Sequence, residues 1–197
     1  MQFKLPKKLK PPYLIHPDTI WTLKYIKDIL KNNDKFGELH LDLLSNLFGG
    51  DNLIFPSFNY EFPDSKYYNV QETKSDVGYL SNYLISKKKY KRTDTPIFSF
   101  LTNIESLYKK SISKPFNELS VFDFLFQNDG TIVFYGTSAE SCTYLHYVES
   151  QSGNPVYRYY KDFCGEVVNN NQRKKVKATF HVRPKGMKLI YDFDKLN

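Results

Sequence analysis

The chain has 197 residues, 41% of them hydrophobic and 25% charged, with a formal net charge of +7 at neutral pH. That length supports one substantial core rather than two full domains, and that composition excludes a disordered chain. The positive charge suits an anionic partner, yet it sits in short clusters ("KLPKKLK", "KKKYKR", "RKKVK") with no long basic arm, so a solvated face is the plain reading of each.

In chain order, residues 1–12 read as an irregular lead-in, and residues 13–197 as a single domain. "YLIHPD" is a short strand ended by Pro17, which biases His16 to extended backbone. "TIWTLKYIKDILKNN" carries Ile20, Leu23, Ile26, Ile29 and Leu30 at helical spacing, and "ELHLDLLSNLF" is a second helix stopped by Gly49-Gly50. "NLIFPSFNYEF" is a strand that enters a loop at Pro56, and residues 61–75 read as a polar, substrate-facing loop. "SDVGYLSNYLISKKK" is a helix with Ser75 or Asp76 as its cap, and "PIFSFL" is a strand. "NELSVFDFLFQNDG" is a helix, "TIVFYG" a strand and "SCTYLHYVES" a helix start. "VYRYYKDF", "KVKATFHVRP" and "MKLIYDF" read as late strands, with residues 169–175 a loop between two of them. Alternating strands and helices predict an α/β domain: a mixed central sheet with helices packed on it.

No run approaches the 18 apolar residues of a membrane span, and no signal-peptide core is present. Cys142 and Cys164 match no metal or redox spacing, which fits reduced thiols and a cytoplasmic setting. Nucleotide-binding glycine loops, the G-x-S-x-G elbow and the HExxH motif are missing, so no metal is expected. The 17% aromatic share fits compositional bias better than a stacking surface, and nucleic-acid binding has no supporting motif.

Thr143, His146 and Glu149 fall three residues apart and share one helical face. A carboxylate beside an imidazole can fix its tautomer and prepare a general base; a structural histidine on a half-buried helix fits the same spacing. At His16, Asp18 or Thr19 can cap the following helix, or the free amides of that helix can receive a ligand carbonyl. His40 and His181 have no such constellation and read as structural.

The ordered series "YLIHPD", "GGDNLIFPSFNYEF", "SDVGYLSNYL", "KRTDTPIFSF", "GTIVFYG", "TYLHYVE" resembles the aminoglycoside 3-N-acetyltransferase family, and "VYRYYKDFCG" is similar to members from surface-polysaccharide clusters. The resemblance implies a CoA-dependent N-acyltransferase with acetyl-CoA as co-substrate. Its acceptor would be an amine on a sugar, either a polysaccharide precursor or an aminoglycoside. It implies His146 as base supported by Glu149, and cofactor contacts at His16, Asp18, Ser75, Val77, Gly78 and Ser99. Glu61, Asp64 and Thr143 are the expected acceptor contacts. Lys88, Lys89, Lys91 and Arg92 are candidates for the CoA phosphates, and the amides of residues 136–138 for an oxyanion. Pro17 stands where the family has serine, and Thr95 where many members have histidine or aspartate. The family also implies a longer C-terminal portion, so a compact variant, a partner chain or a non-catalytic relative are further expectations.

Overall fold

The computed structural model describes residues 8–26, 35–108, 114–153 and 158–186. Its elements are β1 (Tyr13–Pro17), α1 (Thr19–Ile26), α2 (Phe36–Phe48), β2 (Leu53–Pro56), α3 (Phe62–Ser65), β3 (Tyr67–Asn69), α4 (Tyr79–Lys87), β4 (Lys91–Arg92), β5 (Phe100–Thr102), α5 (Glu105–Tyr108), α6 (Val121–Gln127), β6 (Thr131–Tyr135), α7 (Tyr144–Gln151), β7 (Tyr159–Asn169) and β8 (Gln172–Val182).

Five strands form a mixed sheet in the order β4-β5-β2-β1-β6. β1 runs parallel to both β2 and β6, and β5 and β4 are antiparallel to the strands beside them. Period-two alternation splits β1 between two cores. Tyr13 and Ile15 pack with Leu41 and Leu44 of α2 and Leu80 and Leu84 of α4. Leu14 packs on the other face with Val121, Phe122 and Leu125 of α6 and Tyr147 of α7. The sheet is thus covered on both faces, as parallel strands require.

A second sheet, β3-β7-β8, is built on a long hairpin. β7 and β8 pair antiparallel from Tyr159↔Val182 to Asn169↔Gln172. The expected loop at 169–175 is therefore a two-residue turn. Asn170 and Asn171 both adopt positive φ, 49° and 65°, which suits a tight hairpin turn and which asparagine tolerates. The segment 61–75 is likewise more ordered than its polar composition suggests. It contains α3 and then β3, which pairs parallel with β7 through Tyr67↔Glu166. A side chain at Gly165 would meet the Lys66 carbonyl oxygen at 2.6 Å, so only glycine lets the hairpin lie this close to α3. Phe62, Tyr68, Val70, Ile97, Val167 and Phe180 form the core that joins the hairpin to the rest.

Two other elements are shorter than their sequence pattern. α4 starts at Tyr79, because positive-φ Gly78 (75°) interrupts the helix, and Ser75 and Asp76 lie in the loop before it. The strand read over 96–101 begins only at Phe100. Ile97 has φ +66°, and the Phe98 amide donates to the Pro96 carbonyl at 2.9 Å. This is a γ-turn of the strained kind, unusual at a β-branched residue. The late strand "MKLIYDF" and the end of the first helix pattern lie outside the described residues. Residues 10–12 are fastened to β6: Thr131 exchanges bonds with the Lys10 backbone, and its amide donates to the Pro12 carbonyl at 2.9 Å.

Among the described residues, no helix is long and apolar enough to cross a membrane.

Candidate active site

β1 is the point where the chain turns from one side of the sheet to the other: β2 lies on one flank and β6 on the other. Ligands in open α/β sheets bind beyond the strand ends at such a switch point. Here a cleft of about 440 Å³ opens there. His16, Pro17 and Asp18 enter it from the end of β1, Phe58 and Tyr60 from beyond β2, and Val77, Gly78 and Tyr79 from the start of α4. Thr137, Ser141 and Thr143 close it from the segment joining β6 to α7.

Two glycines set its shape. A Cβ on Gly136 (φ +74°) would stand 2.3 Å from the Asp18 carbonyl oxygen, and one on Gly78 would stand 3.3 Å from that of Pro17. α4 opens into the cleft with no side chain capping its first amides. α1 differs: Asp18 Oδ1 accepts from the Ile20 amide at 3.1 Å, so that carboxylate caps its own helix.

His16 is only 6% exposed, packs against the Phe134 ring, and is held down to about 4 by burial, so it is neutral at pH 7. Its Nε2 is buried without a hydrogen-bond partner, as is Thr143 Oγ1. Buried polar atoms are nearly always paired, and these two unpartnered ones belong to residues that line the same cleft. The cleft combines apolar walls with a few polar donors and acceptors.

One helical turn beyond Thr143, His146 Nδ1 lies 3.2 Å from Glu149 Oε2. Phe116 packs edge-on to the imidazole, and a ring chain through Phe98 reaches Phe58 in the cleft. Phe116, Phe98 and Phe58 thus pack in series between histidine and cleft. Burial lowers the His146 pKa most, Arg158 lowers it further, and Glu149 opposes both. Arg158 was not singled out from the sequence. It sits just before β7, its Nη2 is 3.0 Å from His146 Nδ1, and its Nε is 2.8 Å from Glu149 Oε2.

Of the expected site residues, the cleft brings together His16, Asp18, Val77, Gly78 and Thr143, with His146 and Glu149 a turn further along α7. Ser75 stands just behind, its Oγ accepting from the Val77 amide at 3.2 Å and shaping the entry to α4. Ser99 is fully buried, and its Oγ donates to the Ser57 carbonyl at 2.7 Å, away from the cleft lining. Glu61 and Asp64 are exposed at α3 and do not line the cleft. Arg92 is buried too: its guanidinium bonds Ser57 and Ser99 hydroxyls and the Ser57 and Thr73 carbonyls, and lies 5.0 Å from the Tyr68 ring. It tethers the segments after β2, after β3 and before β5, and is committed to protein partners. Tyr60 and Ser141 line the cleft without having been expected there, and only proximity in space marks them; Thr137 belongs to the segment expected at the oxyanion. Among the described residues, no cluster of His, Cys, Asp or Glu could hold a metal ion.

A family model described as aminoglycoside 3-N-acetyltransferase matches residues 55–195. The fold is similar to that of the YokD protein from Bacillus subtilis, with a TM-score of 0.68 at 15% identity, covering 89% of this chain and 77% of that one. It is similar also to AAC-IIIb in its binary complex with CoASH, with a TM-score of 0.67 at 13% identity over 88% of this chain and 70% of that one. AAC-VIa bound to sisomicin gives a TM-score of 0.65 at 10% identity over 89% and 70%. At these identities the likeness shows the fold. No curated protein matches the chain.

Proposed function

The chain belongs to the aminoglycoside 3-N-acetyltransferase family, and we propose that it transfers the acetyl group of acetyl-CoA to an amino group on a sugar. The observation that carries this reading is the pairing of one cleft holding two unpartnered buried polar atoms with a His146–Glu149 pair one turn beyond it.

In this reading the cleft takes the pantetheine arm, with His16 Nε2 and Thr143 Oγ1 meeting its amides. The uncapped α4 amides and the backbone at 136–138 face the acyl oxygen as it gains charge. A sugar amine with a pKa of roughly 8 is protonated at neutral pH and must lose a proton before or during attack. Glu149 holds the proton on His146 Nδ1, which leaves Nε2 as the base. The amine first gives one proton to solvent; its nitrogen then bonds to the acyl carbon as the carbon–sulfur bond breaks, and its second proton passes through His146 to the departing thiolate.

The acceptor class follows from charge. A polycationic aminoglycoside needs several free carboxylates. Among the described residues, Asp18 is the one carboxylate lining the cleft, and it caps α1. Glu149 is already matched to Arg158. Together with the net charge of +7, this favours a phosphate-bearing amino sugar of the kind used in surface-polysaccharide assembly. An aminoglycoside acceptor is the alternative, favoured by the similar structure bound to sisomicin.

The test is calorimetric binding of acetyl-CoA to the purified chain, followed by thiol release with nucleotide-linked amino sugars and with aminoglycosides. Binding with turnover on the nucleotide-linked set supports the proposal. Turnover confined to aminoglycosides selects the alternative. A folded chain that binds no acetyl-CoA overturns both and leaves a non-catalytic relative.

A further inference from the structure

The hairpin delivers a cation to the place where the proposed reaction needs a base. The Arg158 side chain is 6% exposed and that of Glu149 9%, so their contact is a buried ion pair. The same guanidinium reaches His146 Nδ1 and lies 3.5 Å from the His181 carbonyl oxygen on β8. Three elements therefore converge on one imidazole: α7, the residue leading into β7, and the end of β8.

Nδ1 has two rivals. It can donate to Glu149 Oε2, or it can accept from Arg158 Nη2, and it cannot do both at once. Where Arg158 Nη2 turns to Nδ1, as at 3.0 Å, Nδ1 accepts and the proton sits on Nε2; where Arg158 turns wholly to Glu149, Nδ1 donates and Nε2 keeps its lone pair. Charge acts in the same sense. The charged or titratable groups facing His146 are Glu149 on its own helix, Arg158 ahead of β7, Arg183 after β8, and His181 beyond Arg158. Arginine stays charged at every working pH, so its presence disfavours an imidazolium.

Resting on the transferase reading, we propose that Arg158 is a positioning residue for this pair: it fixes the Glu149 carboxylate beside Nδ1 and sets a permanent cation against the ring, so that His146 stands neutral before the amine proton arrives and releases that proton readily afterwards. Burial and the neighbouring cation push the His146 pKa in the same direction, down.

The experiment is an NMR titration of the His146 ring in the native chain, Arg158→Gln and Arg158→Lys, with the pH profile of thiol release beside it. The titration needs no substrate, so it stands or falls apart from the reaction. In Arg158→Gln the His146 midpoint is expected to move to higher pH, because the nearest cation opposing Glu149 is gone, and the acid limb of kcat/KM to move with it. Arg158→Lys, which keeps the charge, should hold the midpoint near native while lowering kcat through lost geometry. The KM for acetyl-CoA should change little, since Arg158 does not line the cleft. An unmoved or lowered midpoint in Arg158→Gln, or equal displacement in Arg158→Lys, overturns the proposal. If Arg158→Gln fails to fold, Glu149→Gln/Arg158→Gln is compared with Glu149→Gln. The double variant should titrate at the higher pH, and equal midpoints overturn the proposal.

Discussion

His40 Nδ1 lies 2.6 Å from the Tyr135 hydroxyl, and its Nε2 lies 3.4 Å from Thr22 Oγ1. The Thr22 hydroxyl donates to the Thr19 carbonyl, so it accepts from His40. A neutral imidazole protonated on Nε2 satisfies this whole buried chain, with Tyr135 donating to Nδ1. A second proton would remove that acceptor. The chain ties α2 to the start of α1 and to the end of β6, the two segments that frame the cleft.

This fixes a pH dependence. Burial holds His40 and His16 at about 4 in the folded chain, against 6.5 when unfolded. Between those values the unfolded state binds more protons, so stability rises with pH through that window. The contribution is complete above about 6.5 and is lost as pH falls toward 4, by up to about 3 kcal/mol for each histidine. Urea midpoints at pH 7 and pH 5 check the slope. His40→Gln should flatten it, and an unchanged slope would mean that His40 is protonated alike in both states.

His146→Ala should lower kcat by about 10²- to 10⁴-fold, the usual range for a general base. Acetyl-CoA affinity should stay close to native, because His146 does not line the cleft. Calorimetry and thiol release on the same preparation separate the two effects. Activity that survives the substitution would place the base elsewhere.

Gly78→Ala and Gly136→Ala form a graded pair. Both positions have positive φ, and Gly78, with ψ 156°, lies in a region essentially reserved for glycine, which costs an alanine about 1 to 3 kcal/mol. Gly136 adds a backbone collision at 2.3 Å, whereas Gly78 meets Pro17 only at 3.3 Å. Gly78→Ala should therefore fold with a modest loss of Tm and a raised KM for acetyl-CoA. Gly136→Ala should lose several times more stability, read by thermal unfolding.

Arg92→Ala should destabilise the chain by about 3 kcal/mol or more, since it leaves a buried void, strands the Thr73 carbonyl and removes one of the two donors to the Ser57 carbonyl. Arg92→Lys should rescue little, because a point charge does not reproduce a planar fork. A folded Arg92→Ala chain with native stability and weakened acetyl-CoA binding would make Arg92 a phosphate contact after all.

What could be read from the sequence was local. The spacing of Leu41, Leu44 and Phe48 gave α2 because packing on a sheet demands that period. Thr143, His146 and Glu149 were legible because three residues close one helical face. Arg158 was not, because its approach depends on the hairpin docking through β3, a long-range pairing that no window shows. Arg92 was hidden by its own neighbourhood: it ends the basic run "KKKYKR", whose other members suit solvent, and its commitment to Ser57 and Thr73 is spatial. Ile97 misled in the opposite way. "PIFSFL" has strand composition, but two backbone amides, those of Asn59 and Phe98, bond to carbonyls on either side of a turn at that residue.

The pairing of Tyr67 with Glu166 has a consequence for the order of assembly. During synthesis, the sheet strands, α4 and α7 all leave the ribosome before the hairpin does. The residues that line the cleft have all emerged while β3 still lacks its partner strand, and His146 and Glu149 are then present with no guanidinium beside them. The emerging chain would hold a binding pocket first and a finished proton-transfer pair later, on docking of the hairpin. Arg158 follows His146 in the chain by 12 residues, so the guanidinium can reach its histidine only after the start of the hairpin has emerged.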